Sequence, residues 1–220
     1  MDYYLAMSDA LGPMRWWPAG SPFEVIVGAI LTQNTAWTNV ERAIANLKRE
    51  RLLTIKGIAR TSNQRLGKLI RSSGYFRQKA IKLKAFVRFL QIEYGGSLKR
   101  MFATPTEDLR KKLLAVHGIG PETADSILLY AGMHRVFVVD AYTRRILSRH
   151  GLANGKEDYD EIRVMFEDRL PRDVQLYNEY HALIVNTGKK WCRTKIPLCT
   201  ECPLAKFLPA QMIRSLGVNP

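Results

Sequence analysis

Cysteine is scarce in this chain. Its 220 residues include three, at Cys192, Cys199 and Cys202, an odd number crowded near one end. That pattern excludes a distributed disulfide framework and suits a metal or cluster loop better. Long apolar runs are missing too: none approaches the ~20 residues that a membrane-spanning helix requires. No basic, apolar leader with a small-residue cleavage site opens the chain, so a soluble, intracellular protein is expected. Acidic residues are few, 20 Asp and Glu against 34 Lys and Arg, which leaves a formal net charge of +14. A compact body with that imbalance repels itself, and a polyanionic partner is the natural counterweight. Nucleic acid is the first candidate and an anionic membrane surface the second. A hydrophobic content of 46% with 10% aromatics excludes a disordered chain and allows one or two packed domains.

The apolar pattern is helical almost throughout. Ile26, Ala29, Ile30, Val40, Ala43, Ile44 and Leu47 follow helical spacing, with Gln33, Asn34 and Thr35 as a polar interruption between two helices. Further helices are expected over Leu66 to Ile70, Lys79 to Tyr94, from Thr106 through Leu114, and over Thr123 to Ala131. Asp140 to His150, Asp160 to Arg169 and Leu176 to Val185 complete the set. The only credible strand is the short run from Val136 to Val139, too isolated to build a sheet. The fold class is all-α, and no repeat, low-complexity tract or long linker interrupts it.

The most informative stretch is Leu113-Leu114-Ala115-Val116-His117-Gly118-Ile119-Gly120-Pro121-Glu122-Thr123-Ala124. It reads as a helix, a tight turn and a second helix. Gly118 and Gly120 allow backbone angles closed to other residues and a close approach to a ligand. Pro121 suits a first helical turn, where its missing N–H costs nothing. The unpaired N–H groups of such a turn form an anion site fit for a DNA phosphate. Two glycines between helices are also an ordinary connection, but the charge of the chain favours phosphate.

Gly118-Ile119-Gly120, followed twenty residues later by Asp140 within Val138-Val139-Asp140-Ala141-Tyr142-Thr143-Arg144-Arg145, resembles the helix-hairpin-helix DNA glycosylases of the endonuclease III type. Leu31-Thr32-Gln33-Asn34-Thr35 is similar to that family's Leu-x-x-Gln-x-Thr turn, whose Gln reaches into the duplex near the extruded base. Gly74-Tyr75-x-x-Gln78-Lys79-Ala80 is similar to a further family segment. These matches run in family order over nearly the whole chain. The resemblance implies two helical domains: residues 22–132, carrying the hairpin at about 113–124, and residues 1–21 with 133–220, carrying the cysteine loop 192–202. It also implies a catalytic Asp at the cleft between them. Asn34, Thr123, Lys79 and Arg144, with Gln33 and the hairpin residues, are the expected DNA contacts. The implied partner is double-stranded DNA containing damaged bases, met by a monomer in the cytoplasm or nucleoid.

The chemistry asks for a carboxylate near the deoxyribose of the extruded nucleotide. Breaking the N-glycosidic bond builds positive charge on the sugar, which a fixed carboxylate stabilises; the same group can orient or deprotonate water. Asp140 stands at the start of an expected helix, where Asp is also a good cap, and the two roles are compatible. Bifunctional relatives carry a Lys two residues after the final hairpin Gly, whose amine forms a Schiff base with the sugar. This chain has Glu122 there, so lyase chemistry through that position is not expected. Glu122 is either a helix-dipole partner or a negative group in the base pocket.

Trp16-Trp17-Pro18 precedes the first helix of the hairpin domain, and Trp37 follows the Gln33 turn. Paired tryptophans commonly pack in cores, yet their faces also stack on an extruded base and attract a cationic one. The Trp-Trp-Pro element, Trp37 and Glu122 together resemble the 3-methyladenine DNA glycosylase III branch. That branch implies a monofunctional enzyme excising an alkylated, already labile base, with no cofactor needed for the chemistry. A glycosylase acting on thymine or uracil opposite guanine is the alternative, and a non-catalytic hairpin DNA-binding protein a third reading. Adenine-mismatch relatives have a catalytic Glu where this chain has Gly28.

Cys192-x6-Cys199-x2-Cys202 matches three of the four ligand positions in the endonuclease III [4Fe–4S] loop; the fourth, after five more residues, is Leu208. Four thiolates normally hold such a cluster. Three readings stand: a cluster with an unusual fourth ligand, a zinc site completed elsewhere, or a loop that folds without metal.

Overall fold

The computed structural model describes residues 1–14 and 19–211, and among these are twelve α-helices and no strand. The chain divides into two compact units, one of residues 17–134 and one of residues 1–16 with 135–220. The fold is all-α.

In the first unit the apolar content of the sequence is concentrated in one helix. Residues 1–14 contribute α1 (Asp2–Leu11) to the other unit, so this helix is α2 (Pro22–Leu31), and it is buried from Phe23 to Leu31. Ser21 caps it by accepting from the Glu24 N–H, and Pro22 occupies its first turn. A helix apolar on every side needs neighbours on every side. It has them in α3 (Trp37–Arg49), α6 (Phe76–Tyr94), α9 (Pro121–Ser126) and the segment Ile127–Ala131 that continues α9. Ile26, Ile30 and Leu31 are fully enclosed, each worth about 1.5–3 kcal/mol of burial.

Three short elements pack around that core: α4 (Ile55–Arg60), α5 (Asn63–Leu69) and, further on, α7 (Leu98–Phe102), capped by Thr54, Ser62 and Ser97. Between α5 and α7 runs α6 (Phe76–Tyr94), the longest helix, ended by Gly95 in the left-handed region. α8 (Thr106–Leu114) and α9 (Pro121–Ser126) flank the glycine turn, and α9 continues as a π-helical segment, Ile127–Ala131. Arg110 of α8 makes two bonds to Asp125 of α9, at 2.7 and 3.1 Å, with both side chains buried. That forked pair fixes the two helices of the hairpin against each other.

In the second unit α10 (Ala141–Arg149) packs on α12 (Val174–Lys190), and α1 packs on α12 as well. α11 (Tyr159–Arg169) opens with a capping box, Asp158 and Glu161 each bonding the other's backbone N–H. Phe166 of α11 stacks on Phe137 at 4.1 Å, and Tyr177, Tyr180 and His181 of α12 meet the Phe137 ring edge-on.

The run from Val136 to Val139 is buried but is not a strand. Its N–H groups find side chains instead of a neighbouring strand: Phe137 N donates to Glu167 Oε1 at 2.8 Å and Val139 N to the Tyr159 hydroxyl at 3.2 Å. Apolar β-branched residues suit an extended segment under helices equally well once its polar backbone groups are answered.

Candidate active site and DNA-binding hairpin

The hairpin begins where α8 ends. Gly118 sits at φ +82°, and Gly120 is extended and caps α9. The turn is narrow because Ile119 donates to the Val116 carbonyl at 3.0 Å while its side chain is buried in the unit. Ile119, expected among the DNA contacts, is therefore an anchor whose side chain faces inward; the exposed element is Gly120 with Pro121 and Glu122.

Gln33, from the turn between α2 and α3, is bound to this hairpin. Its Nε2 donates to Gly118 O at 3.1 Å and to Thr123 Oγ1 at 2.9 Å, and its Oε1 accepts from Lys82 Nζ at 2.5 Å. All the polar atoms of the amide are thus engaged. Thr123 is buried and spends its hydroxyl on Gln33, so its side chain supports the hairpin from within. Asn34 is exposed, at φ +54°, in the bend that turns the chain from α2 into α3. Trp37 is half-buried at the start of α3 and donates its indole N–H to Glu41 at 3.0 Å on the same helix. Trp16, Trp17 and Pro18 lie outside the described residues.

Lys79, expected at the DNA, is not on the surface. It is 2% exposed, and its ammonium donates to Leu31 O at 2.8 Å and Ser73 O at 2.5 Å. It ties the open carbonyl at the end of α2 to the turn before α6, a strut that a buried apolar side chain could not provide. Burial, and secondarily the charge of Lys82, lower its pKa to about 8. Lys82 was not visible as a site residue from pattern alone. The available signal was its spacing of three from Lys79, which puts both amines on one face of α6.

Asp140 is the N-cap of α10. Its Oδ1 accepts from the Thr143 N–H at 2.8 Å and from Thr143 Oγ1 at 2.9 Å. Its Oδ2 stands 3.6 Å from Nε2 of His181, and the carboxylate is 11% exposed. Burial pushes the carboxyl pKa up. The interaction with His181, 3.6 Å from Oδ2, then the two bonds from Thr143, outweigh it and hold the group below its ordinary 3.8. An almost buried carboxylate that stays ionised is chemically the group required beside a developing sugar cation. His181 was missed in the sequence, although a lone His inside the apolar run Tyr180 to Val185 was a visible signal. Arg144, expected at the DNA, donates to the Glu157 carbonyl at 2.9 Å and so holds the loop before α11.

Cys192, Cys199 and Cys202 line one small cavity together with Arg149, Leu204 and Leu208. Among the described residues no group of three or more His, Cys, Asp or Glu side chains is arranged to hold a metal ion. An aliphatic side chain at 208 offers no fourth donor. Burial, reinforced by the neighbouring cysteines, pushes the Cys202 thiol up to about 11 although its bond from Leu204 N–H opposes the shift. The residues, three thiols with Leu208 at the fourth position, do not fit a four-thiolate cluster. Arginines of α10 brace the loop instead. Arg145 donates to Cys192 O at 2.7 Å; Arg149 donates to Arg193 O, Thr194 O and Cys192 Sγ at 2.6, 2.9 and 3.3 Å.

Comparison with known proteins agrees with this geometry. Residues 27–172 match the HhH-GPD superfamily, described as base excision DNA repair proteins. A protein of Methanocaldococcus jannaschii, provisionally named a DNA repair glycosylase, is 50% identical over 206 residues, covering 93% of each chain. Endonuclease III of Thermotoga maritima is 30% identical, covering 82% of this chain and 79% of its own. Among solved structures, the 3-methyladenine DNA glycosylase (MagIII) of H. pylori, bound to 1,N6-ethenoadenine, superimposes with a TM-score of 0.72. It is 29% identical and covers 86% of this chain and 98% of its own. The chain belongs to the HhH-GPD superfamily of base excision DNA repair proteins.

Proposed function

We propose that this protein is a monofunctional DNA glycosylase that flips an alkylated base out of duplex DNA and excises it, with 3-methyladenine as the principal substrate. The observation that carries the reading is Asp140, a nearly buried carboxylate that remains ionised, with one oxygen pinned by Thr143 and the other turned away from it. As the N-glycosidic bond breaks, the base leaves with the bonding electron pair and positive charge grows on the deoxyribose. Asp140 stabilises that charge and accepts a proton from the water that adds to the sugar. A methylated adenine is already cationic and leaves readily, so one carboxylate and stacking partners suffice.

The hairpin, with Gly118 and Gly120, and the basic surface of the chain grip the phosphates around the lesion. Gln33 belongs to this DNA-facing turn, and its bonds to Gly118 and Thr123 make it part of the hairpin's own support. Trp37 offers an aromatic face for the extruded base. Glu122, exposed in the first turn of α9, has no amine to attack the sugar, which supports hydrolysis without strand cleavage. The similarity to MagIII supports the alkyladenine assignment.

The test is base release from duplexes carrying 3-methyladenine, 7-methylguanine, thymine or uracil opposite guanine, and oxidised pyrimidines. Fastest release of 3-methyladenine supports the assignment. Fastest release of mismatched thymine or uracil replaces it with mismatch repair, and no release of any base reduces the protein to a DNA-binding module.

A further inference from the structure

Asp140 spends only one of its oxygens on its helix. Thr143 takes Oδ1 twice, through N–H and hydroxyl, and the carboxylate is thereby turned so that Oδ2 faces α12. There Nε2 of His181 stands at 3.6 Å. That distance is long for a hydrogen bond but within electrostatic reach, with 11% and 6% of the two side chains exposed. The imidazole is held by aromatic packing: Phe137, two residues before Val139 in the buried extended run, meets it edge-on at 6.5 Å and 87°.

We propose that His181 is a positioning residue for base excision: its ring, facing Oδ2 across 3.6 Å, keeps the Asp140 carboxylate ionised and fixes the direction of Oδ2. The proposal rests on Asp140 being the carboxylate that answers the sugar cation.

The physical need is plain. A carboxylate almost removed from water is driven to take up a proton, and a protonated Asp140 could neither stabilise a cation nor accept a proton from water. Thr143 supplies two neutral donors. The remaining oxygen requires a cation or a further donor, and the charged groups on the surrounding elements have partners elsewhere. Arg144 holds Glu157 O, and Arg145 holds Gly188 O and Cys192 O. Glu167 of α11 accepts from Phe137 N and from Arg163. Tyr159 receives the Val139 N–H, and from α1 the Tyr3 hydroxyl bonds His150 while the Tyr4 ring meets Tyr180. From α12 it is His181 that faces Oδ2, with Nε2 at 3.6 Å. The direction of the Asp140 shift, in which His181 is the largest influence opposing burial, agrees with this geometry.

The test compares wild type, His181→Phe, which keeps a planar ring without a donor, and His181→Asn, which keeps a neutral donor without charge. The Thr143 amide proton, bonded to Asp140 Oδ1, reports carboxylate ionisation by NMR without requiring catalysis. The expected result is a titration midpoint that moves upward by about one unit or more in His181→Phe, equivalent to about a tenfold or greater gain in the protonated fraction at pH values above both midpoints. His181→Asn recovers folding and part of the single-turnover rate but not the wild-type midpoint. Coincident Thr143 titrations in all three proteins overturn the proposal, whatever happens to stability. Asp140→Asn, assayed beside them on 3-methyladenine duplex, separates the two readings. Normal base release there sinks Asp140 itself, whereas a dead Asp140→Asn with unshifted His181 variants sinks only His181.

Discussion

Replacing Gly118 with Ala perturbs the hairpin in two separable ways. At φ +82° an L-residue costs about 1–2 kcal/mol relative to glycine. The added Cβ also enters the aliphatic stem of Lys82: it would lie 2.6 Å from Cδ and 2.7 Å from Cε, with Cγ nearer still. Carbon atoms in comfortable contact sit about 3.5–4.0 Å apart. The stem must swing aside, which pulls Nζ from Gln33 Oε1 and releases the amide that braces Gly118 O and Thr123. Overpacking of this kind costs about 1–3 kcal/mol, so Gly118→Ala should destabilise by about 2–5 kcal/mol. In a Lys82→Ala background the space is open and only the backbone cost of about 1–2 kcal/mol remains. A double-mutant cycle by urea unfolding should therefore give a coupling of about 1–3 kcal/mol between positions 118 and 82. Additivity within about 0.5 kcal/mol would refute the contact and, with it, the account of why this turn needs glycine.

Other outcomes follow from the same geometry. Because Glu122 replaces the amine-bearing residue, borohydride should trap no covalent adduct with abasic or lesion-containing DNA, and a trapped lysine adduct would show bifunctional chemistry. Trp37→Ala should slow 3-methyladenine release by about ten- to a hundredfold. It should cost far less than the about 3–5 kcal/mol of a core tryptophan; a large drop in melting temperature with unchanged activity would make Trp37 a packing residue. Lys79 is depressed to about 8 against 10.5. Between those values the unfolded chain holds a proton the folded chain has lost, so stability relative to Lys79→Met should rise as pH rises through that window. A flat difference between the two proteins would contradict the burial of that charge.

The helices and the hairpin were legible because period, caps and glycine turns are local signals. Gly118 to Pro121 does in three dimensions what its spacing implies, whereas the Ser21 cap and the Asp158–Glu161 capping box came to light only in the structure. Asp140 as a helix cap was legible for the same reason, and its partner Thr143 lies only three residues on. Partners distant in sequence were not. Nothing near Lys79 announces that Leu31 O needs its ammonium, so a lysine in a basic stretch reads as a DNA contact. Gln33, Thr123 and Lys82 meet only after three separate segments pack, and His181 reaches Asp140 across 41 positions of chain. The extended run from Val136 to Val139 has strand composition, and only the side chains of Glu167 and Tyr159 show how its backbone is satisfied without a sheet. The short α4 and α7 escaped because brief elements carry little periodicity, and α1 because it buries only Met7 and so shows little apolar stripe.

The central claim is that the ionised carboxylate of Asp140 drives hydrolysis of the bond between base and sugar. It is tested most directly by single-turnover base release from 3-methyladenine duplex with wild type and Asp140→Asn, alongside the affinity of each for the same duplex. The substitution keeps the cap oxygen that Thr143 needs and removes the charge. The account predicts release slowed by at least about a thousandfold, some 4 kcal/mol of transition-state stabilisation, with affinity changed little. Release by Asp140→Asn within a few fold of wild type would contradict it.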